Sequence, residues 1–202
     1  MNSESGTVDV AVDLAALLAS RICHDLISPI GAIGNGVELL ELAGLQNTPE
    51  LSLIMRSVGH ASARVRFFRI ACGTAAPSLT CAPRDLRDLL EELSAEARVK
   101  TRWHVTWPVP RPEAKAAFLA IMCLETMLPL GGQIDVTCDE GWQLTATGPR
   151  VTDRTGLWQD AMTGTHSIEA ADLQFWLLPS AARRAGLSPA LAFAPEKLVL
   201  SL

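Results

Sequence analysis

Apolar residues recur every three or four positions along the first forty: Leu14, Leu18, Ile22, Leu26, Ile30, Ile33, Val37 and Leu40. That spacing draws one stripe along a helix and predicts a long first helix over about residues 11–43. At about 100° of turn per residue, His24 falls about 180° from the centre of the stripe and is held outward. Its face is shared by Asp13, Leu17, Ser20, Ile27, Ser28, Gly31, Asn35 and Glu38, mostly small or polar groups that leave a low surface for another protein to approach. Gly31 and Gly34 each cost the helix about 1 kcal/mol relative to alanine. Pro29 removes the amide that would bond the Asp25 carbonyl, so a kink is expected beside His24. Local rules broken next to a reactive side chain mark a place where function is expected to override stability.

Gly44, followed by Thr48-Pro49-Glu50, reads as a helix stop and then an N-cap with proline at the first helical position. The second helix carries Leu51, Ile54, Val58, Ala61, Val65, Phe68 and Cys72 in alternating steps of three and four. This seam should pack antiparallel to the first helix. Two helices cannot bury both the stripe and the Phe67-Phe68 pair, so a second copy of the hairpin is expected to complete a dimeric four-helix bundle. Arg56, Arg64, Arg66 and Arg69 lie along the second helix and read as solvated or intersubunit charges, with a phosphate-binding role as the alternative.

Gly73–Ser78 is small, proline-bearing and aperiodic. It divides the chain into a hairpin (1–73), a linker (74–78) and a second domain (79–202). There the pattern changes. A helix is expected over 83–98, with Leu86, Leu89, Leu90 and Leu93 inward, then a strand over 101–107 with Trp103, Val105 and Trp107 on one face. A helix over 111–128 follows, then a hairpin of 133–138 with 142–147 around Asp139-Glu140-Gly141. Residues 148–166 read as irregular loop, 168–185 as a helix closed by Gly186, and 188–193 and 197–202 as two short strands. The mixture predicts an α+β fold: a long helical hairpin followed by a small α/β sandwich.

Composition and charge narrow the classes of function. A net charge of −5 and a pI near 5.4 provide no positive field for nucleic acid or an anionic membrane. No uninterrupted run of about 20 apolar residues is present, and Met1–Asp13 has no basic segment followed by an apolar one, so a cytoplasmic protein is expected. The five cysteines (Cys23, Cys72, Cys81, Cys123 and Cys138) are scattered and match no ligand pattern, so they read as reduced and mostly buried. No metal site is expected, since Cys23 and His24 diverge in direction and no further ligands cluster near them. His60 reads as a surface or interface residue, and His104 and His166 have no partner pattern.

The stretch Ser20-Arg21-Ile22-Cys23-His24-Asp25-Leu26-Ile27-Ser28-Pro29-Ile30 concentrates the reactive groups. A neutral imidazole is nucleophilic near neutral pH and becomes a good leaving group once protonated, which suits His24 to accepting and returning a phosphoryl group. Asp25 reads either as an acid that orients the ring or handles its proton, or as a plain solvated carboxylate. Ser20 and Ser28, at i−4 and i+4, either touch the ring or phosphate or simply leave room. Arg21, at i−3, is placed to neutralise phosphate.

His24-Asp25-Leu26-x-x-Pro29-Ile30 resembles the H-box of sensor histidine kinases. More closely, Leu18 to Ile33, with Asn35-Gly36-x-Glu38-Leu39-Leu40 and Ala61-Ser62-Ala63-Arg64-x-x-Phe67-Phe68-Arg69, resembles the ChpT-type histidine phosphotransferases of alphaproteobacteria. The likeness is strong over residues 14–73. Beyond the linker it rests on the order of elements and on Leu128-Pro129-x-Gly131-Gly132.

That resemblance implies a homodimer whose second domain is a kinase ATPase-like sandwich that no longer binds ATP. The sequence agrees: residues 111–131 contain no asparagine, no DxGxG is present, and the glycines between 145 and 185 are the separated Gly148, Gly156 and Gly164. It implies further that His24 takes phosphate from the receiver domain of a hybrid kinase and passes it to a response-regulator aspartate, with Asp25 as the adjacent acid. Ser20, Arg21, Ile27, Ser28, Gly31 and Asn35 would meet the partner, and Mg²⁺ would come with the receiver. A non-catalytic module that sequesters a kinase or receiver, or an atypical kinase, remain alternatives.

Overall fold

A computed structural model describes residues 3–44, 48–163, 169–194 and 196–202, and side chains from Ala15 onward apart from those of 162–163. His166 and Asp13, named above, lie outside this set. The first helix, α1 (Ser3–Leu42), continues uninterrupted through Pro29. Gly44, at φ +91°, ends it in the left-handed conformation that glycine adopts at little cost. The second, α2 (Pro49–Ala71), starts as its sequence dictates: the Thr48 hydroxyl accepts a bond from the Leu51 amide, and Pro49 fills the first turn.

The hairpin seam differs from the expected one. Among the described side chains of α1, those buried within the chain are Ala16, Cys23 and Val37, with Ile30 and Gly34 half-buried between them. This narrow seam of mostly small residues lies about 100° around the helix from His24. The larger aliphatics stay open, with Leu18 at 61% and Ile33 at 52% exposure, and Ile22, Leu26 and Leu40 nearly as free. Small residues let two helix backbones approach closely. The bulky stripe is left with no cover inside one chain.

By length and composition, Ala15–Leu42 is also apolar enough to cross a membrane, with a mean hydropathy of 1.2, although polar residues interrupt it. Its apolarity is one-sided. Arg21, His24, Asp25, Asn35 and Glu38 hold the other side, as befits a helix-pairing surface better than a lipid-facing one.

The remaining elements are β1 (Thr80–Cys81), α3 (Pro83–Ser94), β2 (Val99–Trp103), β3 (Val109–Pro110), α4 (Arg111–Thr126), β4 (Gly132–Cys138), β5 (Trp142–Thr147), α5 (Thr155–Thr163), a 3₁₀ turn (Ala170–Asp172), α6 (Leu173–Arg184), β6 (Ala190–Ala194) and β7 (Lys197–Ser201). The main sheet runs β2-β4-β5-β7-β6, with β2 and β4 parallel and every other pair antiparallel. Its buried face, with Trp103, Ile134, Val136, Leu144, Leu198 and Leu200, lies under the helices. β1 pairs with β3 and pins the domain's entrance to the start of α4. The α+β expectation holds.

Three elements depart from the sequence reading. The chain leaves the main sheet at Trp103 to reach β3, so Trp107 ends in the connection, exposed. Residues 155–163 form α5, whose first turn is capped by Asp153 accepting from the Thr155 amide (2.8 Å) and hydroxyl (2.6 Å). The expected helix over 168–185 is a 3₁₀ turn followed by α6, which Gly186 closes at φ +73°. Gly132 has a packing reason: a Cβ there would sit 2.2 Å from the Thr147 carbonyl oxygen.

Hairpin and second domain share one core. Ala63, Phe67, Ile70 and Ala71 of α2 pack into the same cluster as Phe118, Leu119 and Leu124 of α4. Phe67, expected to await a second copy, is buried within the chain, its ring 4.9 Å from that of Phe118. Phe68 meets it edge-on and stays partly open. Cations at the start of α4 complete the join. Arg111 donates to the Arg69 carbonyl (2.7 Å), and Lys115 donates to the carbonyls of Cys72 (3.2 Å) and Gly73 (2.7 Å), satisfying the open C-terminus of α2. Arg66 pairs with Glu92 of α3, so this charge is intrachain and not intersubunit. Phe67→Ala is expected to lower stability by about 3–5 kcal/mol in a single cooperative transition, checked by denaturant titration followed by far-UV circular dichroism and tryptophan fluorescence.

Candidate functional site

His24 stands on the open side of α1 with 85% of its side chain exposed. The phase of the helix puts it there: Cys23, one residue earlier, turns into the seam at 5% exposure, and the next position swings about 100° out of it. Asp25 makes the contact that adjacent helical residues reach only with a bent rotamer, its Oδ1 lying 3.3 Å from His24 Nδ1. Its other oxygen, Oδ2, accepts from Arg21 Nε at 2.7 Å across one helical turn. The Arg21 hydrogen bond, and after it the one to His24, holds the Asp25 carboxyl below its ordinary range.

The geometry carries a tautomer preference. A carboxylate accepts only, so the contact favours a proton on Nδ1 and leaves the Nε2 lone pair in solvent. Among the described residues Nε2 has no partner. Because Asp25 stays ionised to lower pH than an ordinary aspartate, the contact persists through neutral and mildly acidic conditions and is lost as pH falls through that lowered value.

Ile27, Ser28, Gly31 and Asn35 are all exposed on the same side, within about 60° of His24 around the axis. A Cβ placed on Gly31 would meet nothing within 4 Å, so this chain's own packing does not require glycine there. Ser20 is the exception. Its hydroxyl accepts from the Thr74 amide at 3.0 Å, so it is half-buried and tied to the linker instead of standing open beside the ring. Gly73 sits so close that a Cβ there would lie 2.4 Å from the Arg69 carbonyl oxygen and 3.1 Å from Ser20 Oγ.

That tie builds a feature the sequence did not disclose. A cleft of about 670 Å³ opens between Leu17 of α1, the linker Thr74–Pro77, Lys115 of α4, and Leu177 and Arg184 of α6. Leu17 is two helical turns before His24 and on nearly the same phase, about 10 Å along the axis. No local signal joins positions 17, 75, 115 and 184. The other histidines stand apart: His104 Nε2 lies 2.8 Å from Asp135 Oδ1, and His60 sits on α2.

Comparison with known proteins adds the following. The family described as "Histidine phosphotransferase C-terminal domain" matches residues 83–196. The protein phosphotransferase ChpT of Brucella abortus (strain 2308) is 37% identical over 128 residues, which span 62% of this chain and 61% of that relative. A solved bacterial phosphotransferase superposes with a TM-score of 0.63 at 27% identity, covering 95% of this chain and 96% of the other.

Proposed function

The chain belongs to the ChpT-type histidine phosphotransferase family, and from that premise we propose that it is a relay protein in which His24 takes a phosphoryl group from one receiver domain and gives it to another. The observation that carries this reading is an exposed imidazole whose Nδ1 is held by Asp25 while Nε2 is free. The donor is an aspartyl phosphate on the receiver of a hybrid histidine kinase, and the acceptor is an aspartate on a response regulator. Each receiver brings its own Mg²⁺, so the chain needs no metal and no ATP.

In the forward step the Nε2 lone pair attacks phosphorus in line, the phosphorus–oxygen bond to the donor aspartate breaks, and its electron pair leaves with the carboxylate. The ring becomes a phospho-imidazolium whose Nδ1–H points at Asp25, so the carboxylate stabilises the charge that develops. The return step runs this backward. Arg21 holds Asp25 from one turn below, while Ile27, Ser28, Gly31 and Asn35 form the approach surface, and Ser20 acts through the linker. The cleft beside Leu17, bounded by the linker, α4 and α6, suits the receiver's flank and gives the second domain a part in the grip. The uncovered stripe on α1 pairs with a second copy of the chain, making a homodimer.

The test is to mix the full chain with a panel of phosphorylated receivers and follow label onto His24. The reading fails if no receiver transfers label, or if incubation with labelled ATP alone does. Asp25→Asn is expected to slow transfer about ten- to a hundredfold while the melting temperature stays unchanged, because the exposed contact contributes to the charged ring and not to the core. Single-turnover transfer rates measured alongside thermal melts check it.

A further inference from the structure

A second cleft of about 670 Å³ lies where α2 meets α3, β2 and the C-terminal end of α4, with no residue contributed by α1. Its apolar walls come from Phe67, Leu93, Val99 and Leu128, and its polar groups include Arg64 and His60 of α2 and Glu125 of α4. A smaller cavity of about 170 Å³ shares Arg64, Phe67, Glu125 and Thr126, so the two hollows meet at these side chains.

Glu125 is the anomaly. Burial pushes its carboxyl up, with the Arg64 charge pulling partly back, yet it makes no hydrogen bond and no ion pair among the described residues. Arg64 is exposed and makes no hydrogen bond among the described residues, its guanidinium centre 6.0 Å from the centroid of the Phe68 ring. Both charges line the cleft without closing to an ion pair. A half-buried carboxylate on the wall of a cleft, beside an open guanidinium, can accept a donor from a ligand. The other arginines of the cleft are engaged: Arg98 donates to the Pro129 carbonyl (3.3 Å) and Arg154 to Asp172 (2.9 Å).

We propose that this cleft binds a small organic anion that also carries an N–H donor, its anionic group held by Arg64, its donor by Glu125, and its apolar body by Phe67, Leu93 and Leu128. The cleft is concave and of small-molecule size, and its lining divides about evenly between apolar walls and polar side chains that include Arg64 and Glu125. Nucleoside monophosphates and aromatic amino acids share this chemistry. The site is separate from His24. Because α2 and α4 both hold the ligand, occupancy ties the hairpin to the second domain and raises the melting temperature.

The experiment titrates the full chain calorimetrically with the four nucleoside 5′-monophosphates, with tryptophan and phenylalanine, and with inorganic phosphate. One organic anion is expected to saturate a single site, and phosphate alone to bind at least about tenfold more weakly. Arg64→Ala and Glu125→Gln are each expected to weaken binding about ten- to a hundredfold, the loss of one charge-assisted hydrogen bond, while both variants still accept phosphoryl on His24. Glu125→Gln removes a half-buried charge and keeps its shape, so it folds at least as well as the parent, as circular dichroism and melting will show. No saturable binding by any probe up to about 1 mM, or binding undiminished in both variants, overturns the proposal. Binding that His24→Ala retains, in a parent protein that takes no label from receivers, would sink the relay reading and leave this site standing.

Discussion

His24→Ala is expected to reduce phosphoryl acceptance from every receiver to background while leaving fold and melting temperature within experimental error. The two halves follow from one fact: the side chain is 85% exposed and among the described residues has Asp25 as its one hydrogen-bonding partner, so truncating it opens no cavity and orphans no buried group. No neighbour can substitute. Arg21 and Asp25 are not phosphoryl acceptors matched to an aspartyl phosphate, and Ser20 has its hydroxyl engaged by the Thr74 amide. Transfer of label from a phosphorylated receiver, with acid-labile and base-stable phosphate on the wild type, measures the first half, and a thermal melt the second. A variant that still suppressed receiver phosphorylation by holding the receiver would mark the chain as a sequestering module, because binding through a helical face does not need the imidazole.

Much of this site was legible because it is local. Helical phase alone put His24 outward, and spacing alone put Arg21, Ser28, Gly31 and Asn35 on its side. What spacing left open was whether Asp25 reaches the ring, since that depends on a rotamer; the 3.3 Å contact came with Arg21 holding the opposite oxygen. Ser20 was misplaced because its partner, Thr74, is 54 positions away, and Phe67 because its partner, Phe118, lies beyond the linker. Such contacts are fixed by tertiary packing, for which one sequence carries no periodic trace. α5 escaped for a different reason: with nine residues it makes too few turns to show a period.

The same limit explains the misread stripe, and it sets the strongest test of assembly. The sequence rule finds the most apolar face of α1 and assigns it to the nearest partner. The fold gives that partner the narrow seam of Ala16, Cys23, Ile30, Gly34 and Val37 instead. Leu18, Ile22, Leu26, Ile33 and Leu40 are thereby left uncovered, and Ile33 borders, with Leu53 and Ile54 of α2, an apolar groove of about 350 Å³. Continuous exposed apolar surface of this kind belongs to an interface. The proposed second copy would suit it because the stripe lies opposite His24, so pairing would leave the proposed phosphoacceptor of each copy open.

Under the proposed homodimer the parent is expected to sediment as a dimer, and the double variant Ile22→Glu/Ile33→Glu as a 21.7 kDa monomer. Each buried isoleucine contributes about 1.5–3 kcal/mol, and two-fold symmetry repeats both losses and sets like charges together. The dissociation constant should rise at least about a thousandfold. Neither position lies in the intrachain seam, so the monomer keeps its helical signal and its Phe67–Phe118 core. A double variant that remained dimeric would move the interface elsewhere on the chain, and the apolar stripe on α1 would then need another partner.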